Sequence, residues 1–141
     1  MPDAEPPLLL DTCAVIWVAE DEPISDAAAE ALDRAHQADA LVYVSPITAW
    51  EVGLLIARGR LALLIKPQLW FQRMLEVPNM QLADMSPDLL ISSSFLPGAP
   101  PRDPADRIIA ATAREYGYVL VTRDRLLLEY AEQGHIQALV C

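Results

Sequence analysis

The sequence predicts an α/β fold, a three-layer α/β/α sandwich in which a parallel sheet of about five strands lies between helices. Short apolar runs, typical of buried parallel strands, alternate along the 141 residues with longer stretches of helical periodicity. Gly117 and Gly134 punctuate this alternation at the ends of two helical stretches. Alternation of strand and helix throughout a chain favours a parallel sheet with helices on both faces.

In the first half of the chain, apolar runs and helix-start signals mark the elements in turn. Leu8–Leu10 is a short apolar run and predicts the first strand, at the centre of the sheet. Ser25 precedes an amphipathic helix, and Ser45 followed by Pro46 is typical of the start of another. In chain order we expect strand 8–10, helix 14–19, helix 25–37, strand 41–44, helix 45–58 and helix 68–76.

The clearest signal of the second half is residues 103–124, DPADRIIAATAREYGYVLVTRD. Asp103 suits an N-cap, and Pro104 suits the first helical position, where no amide proton is needed. An apolar stripe runs to about Tyr116, Gly117 ends the helix, and a buried strand follows. In chain order we expect strand 80–85, helix 87–95, a proline-rich loop 96–102, helix 104–116, strand 118–121, helix 125–132 and strand 136–140.

Length and composition indicate one domain with a proper hydrophobic core. The chain is 53% hydrophobic and 21% charged, which excludes a disordered protein. We expect residues 1–7, an acidic and proline-rich lead, to be a flexible extension, and residues 8–141 to form the single domain. No apolar run approaches the roughly 18 residues of a membrane helix, and the lead does not resemble a basic signal sequence. A cytoplasmic location is therefore expected.

The distribution of charge qualifies the net charge of −10. Residues 1–40 carry −9, whereas residues 41–141 carry only −1, because nine of the ten bases lie there. All bases except Lys66 are arginine, the side chain that matches phosphate with a planar fork. An acidic protein of this kind can therefore still present a local phosphate-binding surface.

The cysteines and histidines exclude two other kinds of site. Cys13 and Cys141 stand without a secretion signal and are expected to be free thiols. The only histidines, His36 and His135, are isolated from each other and from the cysteines, so no zinc pattern exists.

Four acidic residues are expected at the same edge of the predicted sheet. Asp11 and Asp124 follow apolar strands, while Glu51 and Asp106 lie in the opening turns of helices. In a doubly wound sheet these positions meet at the C-terminal edge of the strands. Singly, each acid has an ordinary explanation as an N-cap or a surface charge, but four clustered carboxylates need protons or a divalent cation. Oxygen ligands alone select a hard ion such as Mg²⁺ or Mn²⁺, which suits phosphate chemistry.

These residues lie in segments that resemble a known family. The chain is similar to PIN-domain ribonucleases, specifically to VapC-type toxins of bacterial toxin–antitoxin pairs. The resemblance implies a PIN-like sandwich over nearly all of the chain beyond residue 7. The matching segments are LLLDTCAVIWV (8–18), VSPITAWEVGLLIARGRLAL (44–63), LPGAPPRDPADRIIAATAREYGYVLVTRDRLLLEY (96–130) and GHIQALVC (134–141).

The resemblance implies a role for each matched residue. One or two Mg²⁺ or Mn²⁺ ions orient a water that hydrolyses RNA, leaving 3′-hydroxyl and 5′-phosphate ends. The chain departs from many relatives at Pro101, where they carry histidine. The implied catalytic and metal-binding acids are Asp11, Glu51, Asp106 and Asp124; the accessory residues are Thr12, Thr122 and Asp103, the last as the cap that fixes Asp106; and the candidate RNA-binding residues are Arg107, Arg123 and Arg125.

The resemblance also implies partners, and other functions stay open. It implies a homodimer and a VapB-like antitoxin whose C-terminal segment covers the site, for which the apolar region 54–75 offers a helix-in-groove surface. A PIN nuclease acting on DNA or structured flaps, and a non-catalytic acid-pocket binding module, remain alternatives. A phospho-acceptor receiver fits less well because the only lysine is Lys66. A phosphatase with a nucleophilic Asp fits less well because Cys13 stands where its second Asp is needed.

Overall fold

Five short parallel strands form one sheet in the computed structural model, which describes residues 5–141. The first four residues of the expected extension 1–7 lie outside the described residues, and its flexibility stays a prediction. The strands are β1 (Leu8–Leu10), β2 (Val42–Val44), β3 (Met80–Leu82), β4 (Val119–Thr122) and β5 (Gln137–Val140). Their order across the sheet is β3-β2-β1-β4-β5, which confirms the predicted parallel sheet with β1 at its centre.

Residues 5–141 also form seven helices around the sheet. The helices are α1 (Thr12–Ala19), α2 (Asp26–Gln37), α3 (Ile47–Ala57), α4 (Pro67–Leu75), α5 (Pro87–Ser92), α6 (Pro104–Tyr116) and α7 (Arg125–Glu132). Helices α1, α2 and α4 pack on one face, and α6 and α7 pack on the other. No helix in the described part of the chain is long and apolar enough to cross a membrane.

The central strand shows why both faces are buried. Leu8 and Leu10 point into the core beneath α1, α2 and α4, while Leu9 points into the core beneath α6 and α7. Alternation of side chains along a strand places successive residues on opposite faces. All three leucines are buried, as expected for a parallel strand between two layers. β1 pairs with β2 on one side and β4 on the other, so its C-terminal end meets both neighbours.

Acidic N-caps start three of the helices at the C-terminal edge of the sheet. Asp11 accepts from the Ala14 amide at 2.8 Å, Asp103 from Ala105 at 2.9 Å, and Asp124 from Leu126 at 2.8 Å. Each cap satisfies an amide that the helix itself leaves without an acceptor. The caps therefore fix the backbone at these three acids, which the sequence predicts as site residues.

Four predicted boundaries differ from the structure by two residues or more. The helix expected at 14–19 begins at Thr12, directly after its cap Asp11. The strand expected at 80–85 ends at Leu82, because β3 is an edge strand and its only partner, β2, ends at Val44, directly opposite Leu82. The helix expected at 87–95 ends at Ser92. The helix expected from Ser45 begins at Ile47, whose amide donates to the Ser45 hydroxyl at 3.1 Å.

Candidate active site

The C-terminal ends of the two central strands place the first two acids side by side. Asp11 directly follows β1, and its amide donates to the Val121 carbonyl of β4 at 3.1 Å. Asp124 lies two residues past the end of β4 and starts α7. Parallel neighbouring strands end at the same edge of a sheet, so both carboxylates project from that edge.

The Asp11 carboxylate is buried and held by two donors. The Thr122 hydroxyl donates to its Oδ2, and the Ala14 amide donates to its Oδ1. The same Thr122 hydroxyl accepts from the amide of Asp124 at 3.0 Å, so one side chain orients both strand-end acids. Burial raises the pKa of Asp11 above its usual range, and the two hydrogen bonds oppose that rise. The structure thus gives Thr122, predicted as accessory, a definite contact.

Glu51 reaches the same edge from α3. The Thr12 hydroxyl donates to Glu51 Oε1 at 2.5 Å and lies 3.1 Å from the Thr48 hydroxyl. Thr48 is fully buried and absent from the sequence-based site, although it stands three residues before Glu51 and hence on the same helix face. That spacing was the signal that could have found it. The pKa of Glu51 is raised, first by burial and then by nearby carboxylates, of which Asp103 ranks first.

Three carboxylates converge most closely. One oxygen each from Glu51, Asp103 and Asp106 lies within 4.8 Å of the other two. The sequence assigned Asp103 to capping, and it does cap α6, but its carboxylate also belongs to this group. Asp11 and Asp124 lie outside this closest group, yet close enough that both charges raise the pKa of Asp106.

Asp106 is the least supported acid of the cluster. No hydrogen bond to its carboxylate is found within the described residues 5–141, in contrast to Asp11 and Glu51. Burial, as the largest cause, and then the charges of the neighbouring acids together raise its pKa from 3.8 to about 7; these neighbours are Asp103, Asp124, Glu51 and Asp11. A cation would relieve both causes, because it restores solvation and neutralises the neighbours. A hard divalent ion fits this donor set of carboxylate oxygens.

A thiol stands beside the carboxylates. Cys13 is exposed at the surface, yet desolvation by the surrounding atoms, together with the charges of Asp11, Glu51, Asp124 and Asp106, raises the pKa of its thiol to about 11. Both Cys13 and Cys141 are free thiols, as predicted. Because a thiol, unlike a thiolate, is a weak nucleophile and a weak ligand, Cys13 does not change the hard character of the site at neutral pH.

The three arginines predicted to bind RNA occupy different environments. Arg125 is exposed, with 84% of its side chain accessible, and lies 3.7 Å from Glu129 on the same helix. Arg107 is half-buried, and its buried Nη1 has no hydrogen-bond partner in the described part of the chain. The Arg123 guanidinium lies 4.0 Å over the Trp17 ring and donates to the main-chain oxygen of Cys141 at 3.1 Å. Arg123 and Arg125 are both exposed, but Arg123 contacts other elements of the fold, whereas Arg125 pairs with a residue of its own helix.

An apolar groove lies on the α1 and α4 side of the molecule. Its volume is about 530 Å³, and it includes Val18, Val77 and Leu64, whose side chain is fully exposed. The indole N–H of Trp70 donates to Glu20 at 2.8 Å at the groove wall. This groove includes part of the apolar region 54–75 that the sequence predicts as a partner surface.

Comparisons with known proteins agree with this architecture. The family model of the PIN domain matches residues 8–133. Ribonuclease VapC22 of Mycobacterium tuberculosis (strain ATCC 25618 / H37Rv) is 36% identical over 121 residues, which are 85% of this chain and 88% of that protein.

Solved structures show the same fold. VapBC2 from Rickettsia felis, bound to a DNA fragment from its promoter, superposes with a TM-score of 0.65 at 15% identity, covering 94% of this chain and 97% of that one. FitAcB from Neisseria gonorrhoeae superposes with a TM-score of 0.55 at 24% identity, covering 93% and 95%. The family model matches most of the chain, and the chain is 36% identical to VapC22 over most of both lengths. The chain therefore belongs to the PIN-domain family, as a VapC-type member.

Proposed function

We propose that this protein is a metal-dependent endoribonuclease and the toxin of a toxin–antitoxin pair. The observation that carries the proposal is the convergence of Glu51, Asp103 and Asp106 within 4.8 Å, beside Asp11 and Asp124 at the strand ends. The ribonuclease name of the relative VapC22, at 36% identity over most of both chains, favours RNA over DNA as the substrate.

The carboxylates divide into holders of the cation and supporting groups. Asp11 and Asp106 are proposed as direct ligands, with Glu51 and Asp124 completing the set and Asp103 adding a further oxygen. A divalent cation bound there supplies charge neutralisation, polarises a phosphodiester oxygen and lowers the pKa of a water molecule. The oxygens of Glu51, Asp103 and Asp106 that lie within 4.8 Å of one another support this assignment, because such an ion takes several oxygen ligands.

The neighbouring hydroxyls fix the acids for that task. Thr122 holds Asp11, and Thr12, backed by Thr48, holds Oε1 of Glu51. Glu51 therefore keeps a second oxygen that can accept the proton released when a water attacks a phosphodiester. Groups fixed in advance in this way need no reorganisation during the reaction, which is the main source of electrostatic catalysis.

Phosphate contacts come from the basic residues beside the acids. Arg125 stands next to Asp124 with an exposed side chain and is proposed to bind an RNA phosphate. Arg107, three residues from Pro104 and adjacent to Asp106, stays a proposed contact. Such contacts are needed because the acidic cluster by itself repels a polyanion.

The proposed antitoxin occupies the apolar groove along α1 and α4 and extends to the acids. An amphipathic partner segment would bury the exposed side chains of Val18, Leu64 and Val77. An arginine on that segment could then neutralise the carboxylates as a cation does. The crystallised VapBC2 complex has a chain of this fold together with its partner, which supports a partner for this chain.

A homodimer is proposed through α5 and its C-terminal end. Ile91 and Phe95 are 62% and 79% exposed, which is a large apolar area for a protein surface. A two-fold axis at this surface would bury the same side chains on both copies. Light scattering coupled to size-exclusion chromatography tests it, and a monomer at micromolar concentration would contradict the proposal.

The decisive experiment is cleavage of mixed single-stranded RNA by the purified protein in Mg²⁺, in Mn²⁺ and in EDTA. We expect metal-dependent cleavage that Asp106→Asn abolishes. Asp26→Asn is the matched control, because Asp26 is also an acid in a first helical turn but lies outside the cluster. If the protein cleaves only DNA, DNA replaces RNA as the proposed substrate. If cleavage persists both in EDTA and in Asp106→Asn, the proposed metal site is refuted.

A further inference from the structure

Arg123 is exposed, yet its guanidinium contacts three other parts of the chain beside the acids. Its guanidinium lies 4.0 Å over the ring of Trp17, in α1. Its Nη2 donates to the main-chain oxygen of Cys141 at 3.1 Å and approaches that of Pro23 at 3.5 Å. One side chain thus joins the end of β4 to α1, to the loop after α1 and to the residue after β5.

One of the groups that Arg123 contacts, Cys141, is bonded to Thr122, and the Thr122 hydroxyl orients the strand-end acids. The Cys141 amide donates to the Thr122 carbonyl at 2.8 Å, so Cys141 and residues 122–123 close a ring of contacts. The same Cys141 oxygen accepts from the Ser25 amide at 2.8 Å, at the start of α2. Thr122 in turn donates to Asp11 and accepts from the Asp124 amide. Arg123 is therefore linked to both acids through Cys141 and Thr122.

We infer that Arg123 is a positioning residue: it holds the ends of β4 and β5 against α1 and thereby sets the places of Asp11 and Asp124. This inference rests on the proposed function, since its consequence is cation binding and catalysis. It gives Arg123 a role different from the RNA contact expected from its sequence alone.

The contacts favour this role over a phosphate ligand. A phosphate-binding arginine needs its fork free to face an anion. Here one face of the guanidinium is against the indole, and Nη2 is directed at main-chain oxygens. Arg125, two residues further on, offers the contrast, because its side chain is 84% exposed.

The test compares Arg123→Lys and Arg123→Ala with Arg125→Ala. Lysine keeps the charge but lacks the planar fork that stacks on an aromatic ring while donating elsewhere. Three quantities are measured: the Mn²⁺ dissociation constant by electron paramagnetic resonance without RNA, kcat and KM for RNA cleavage, and the salt dependence of RNA binding.

For both Arg123 variants we expect Mn²⁺ affinity to fall at least tenfold, the size of effect seen when a support of metal ligands is lost. We expect kcat to fall with it, while the salt dependence stays as in the wild type. Arg125→Ala should leave Mn²⁺ affinity unchanged, raise KM and reduce the slope of log affinity against log salt by about 1. Arg123→Lys with wild-type Mn²⁺ affinity and a raised KM would overturn the inference and restore Arg123 as an RNA ligand.

Two further variants separate positioning from general instability. Val42→Ala, in the core at the start of β2 and hence at the opposite edge of the sheet, should lower the melting temperature but keep Mn²⁺ affinity. Trp17→Phe should weaken Mn²⁺ binding less than Arg123→Ala, because it keeps an aromatic ring under the guanidinium. Equal losses in Val42→Ala and Arg123→Ala would overturn the inference, whereas absence of Mn²⁺ binding by the wild type would refute the proposed cation site itself.

Discussion

Replacing Asp106 with asparagine should stabilise the metal-free protein at neutral pH. The structure gives the reason, since this half-buried carboxylate faces four other acids and has no hydrogen-bond donor within the described residues. Asparagine has almost the same shape and carries no charge. The substitution therefore removes repulsion and desolvation cost without opening a cavity.

The size of the gain follows from the pKa of Asp106, which is raised from 3.8 to about 7. At about 1.36 kcal/mol per pH unit, that difference corresponds to about 4 kcal/mol before solvent screening is considered. Screening of a partly exposed group cuts the figure by about half or more. Asparagine also forfeits about 0.3–1 kcal/mol that an acid gains in the first turn of a helix. A net gain of about 1–2 kcal/mol remains, which for a domain of this size raises the melting temperature by about 2–8 °C.

The pH dependence of the effect has a definite sign. Between the unfolded pKa of 3.8 and the folded pKa of about 7, the native state binds more protons at Asp106 than the unfolded state does. Stability contributed by this group therefore falls as pH rises through that window, and the full cost is present above about pH 7. The difference between Asp106→Asn and the wild type should be small near pH 4, grow towards pH 7 and then level off.

Urea unfolding in EDTA at several pH values measures this difference directly. Asp26→Asn, which removes an exposed acid outside the cluster, should show no such growth with pH. Added Mg²⁺ should reverse the order, because the wild type gains stability from binding the ion and the variant does not. An Asp106→Asn protein that is no more stable than the wild type at pH 8 in EDTA would refute the clustering of the acids.

Four other substitutions, at Thr122, Asp103 and Gly98, test contacts of the site and of the loop before α6. Thr122→Val should cost about 1–3 kcal/mol, because it leaves Oδ2 of the buried Asp11 carboxylate without its donor while the Ala14 amide still holds Oδ1. It should also weaken Mn²⁺ binding; unchanged unfolding and binding would contradict the contact. Asp103→Ser should keep the α6 cap yet weaken Mn²⁺ binding, whereas Asp103→Ala should also lower stability by about 1 kcal/mol; equal Mn²⁺ affinity in Asp103→Ser and wild type would remove Asp103 from the ligands. Gly98→Ala should destabilise the loop before α6, because a methyl group there would meet His135 Nε2 at 2.3 Å and φ is +71°; a melting temperature equal to the wild type would show that the loop yields freely.

The fold was predictable because its signals are local. Apolar runs of three to four residues, capping residues and helical periodicity identify every strand and helix of the described chain within a few residues. Gly117 ends α6 in a left-handed conformation, as its position in the sequence indicates. The ends of β3 and α5 were less predictable, because they depend on where a neighbouring strand stops and how a loop packs.

The site was predictable in its members more than in its contacts. Parallel topology alone brings strand ends and helix starts to one edge, so the positions of Asp11 and Glu51 follow from the sequence pattern. The closeness of Asp103 to Glu51, and the contacts of Arg123 with Trp17 and Cys141, join residues far apart in sequence. Spacing along the chain carries no signal for such contacts, so a basic residue beside an acid was interpreted as an RNA ligand.

The hydrogen-bond donors of this site are distributed unevenly among its acids, and this explains which acid needs a neutralising group. Hydroxyls and amides support Asp11, and Thr12 supports Glu51, so those acids keep fixed positions without an ion. Asp106 receives no such support within the described residues, and its neighbours are acids, so the fold itself cannot relieve its charge. Relief has to come from protons, from a cation or from a basic partner segment, and these three exclude one another at the same oxygens. If the proposed cation activates the site by neutralising Asp106, a partner that supplies an arginine would inhibit by the same neutralisation.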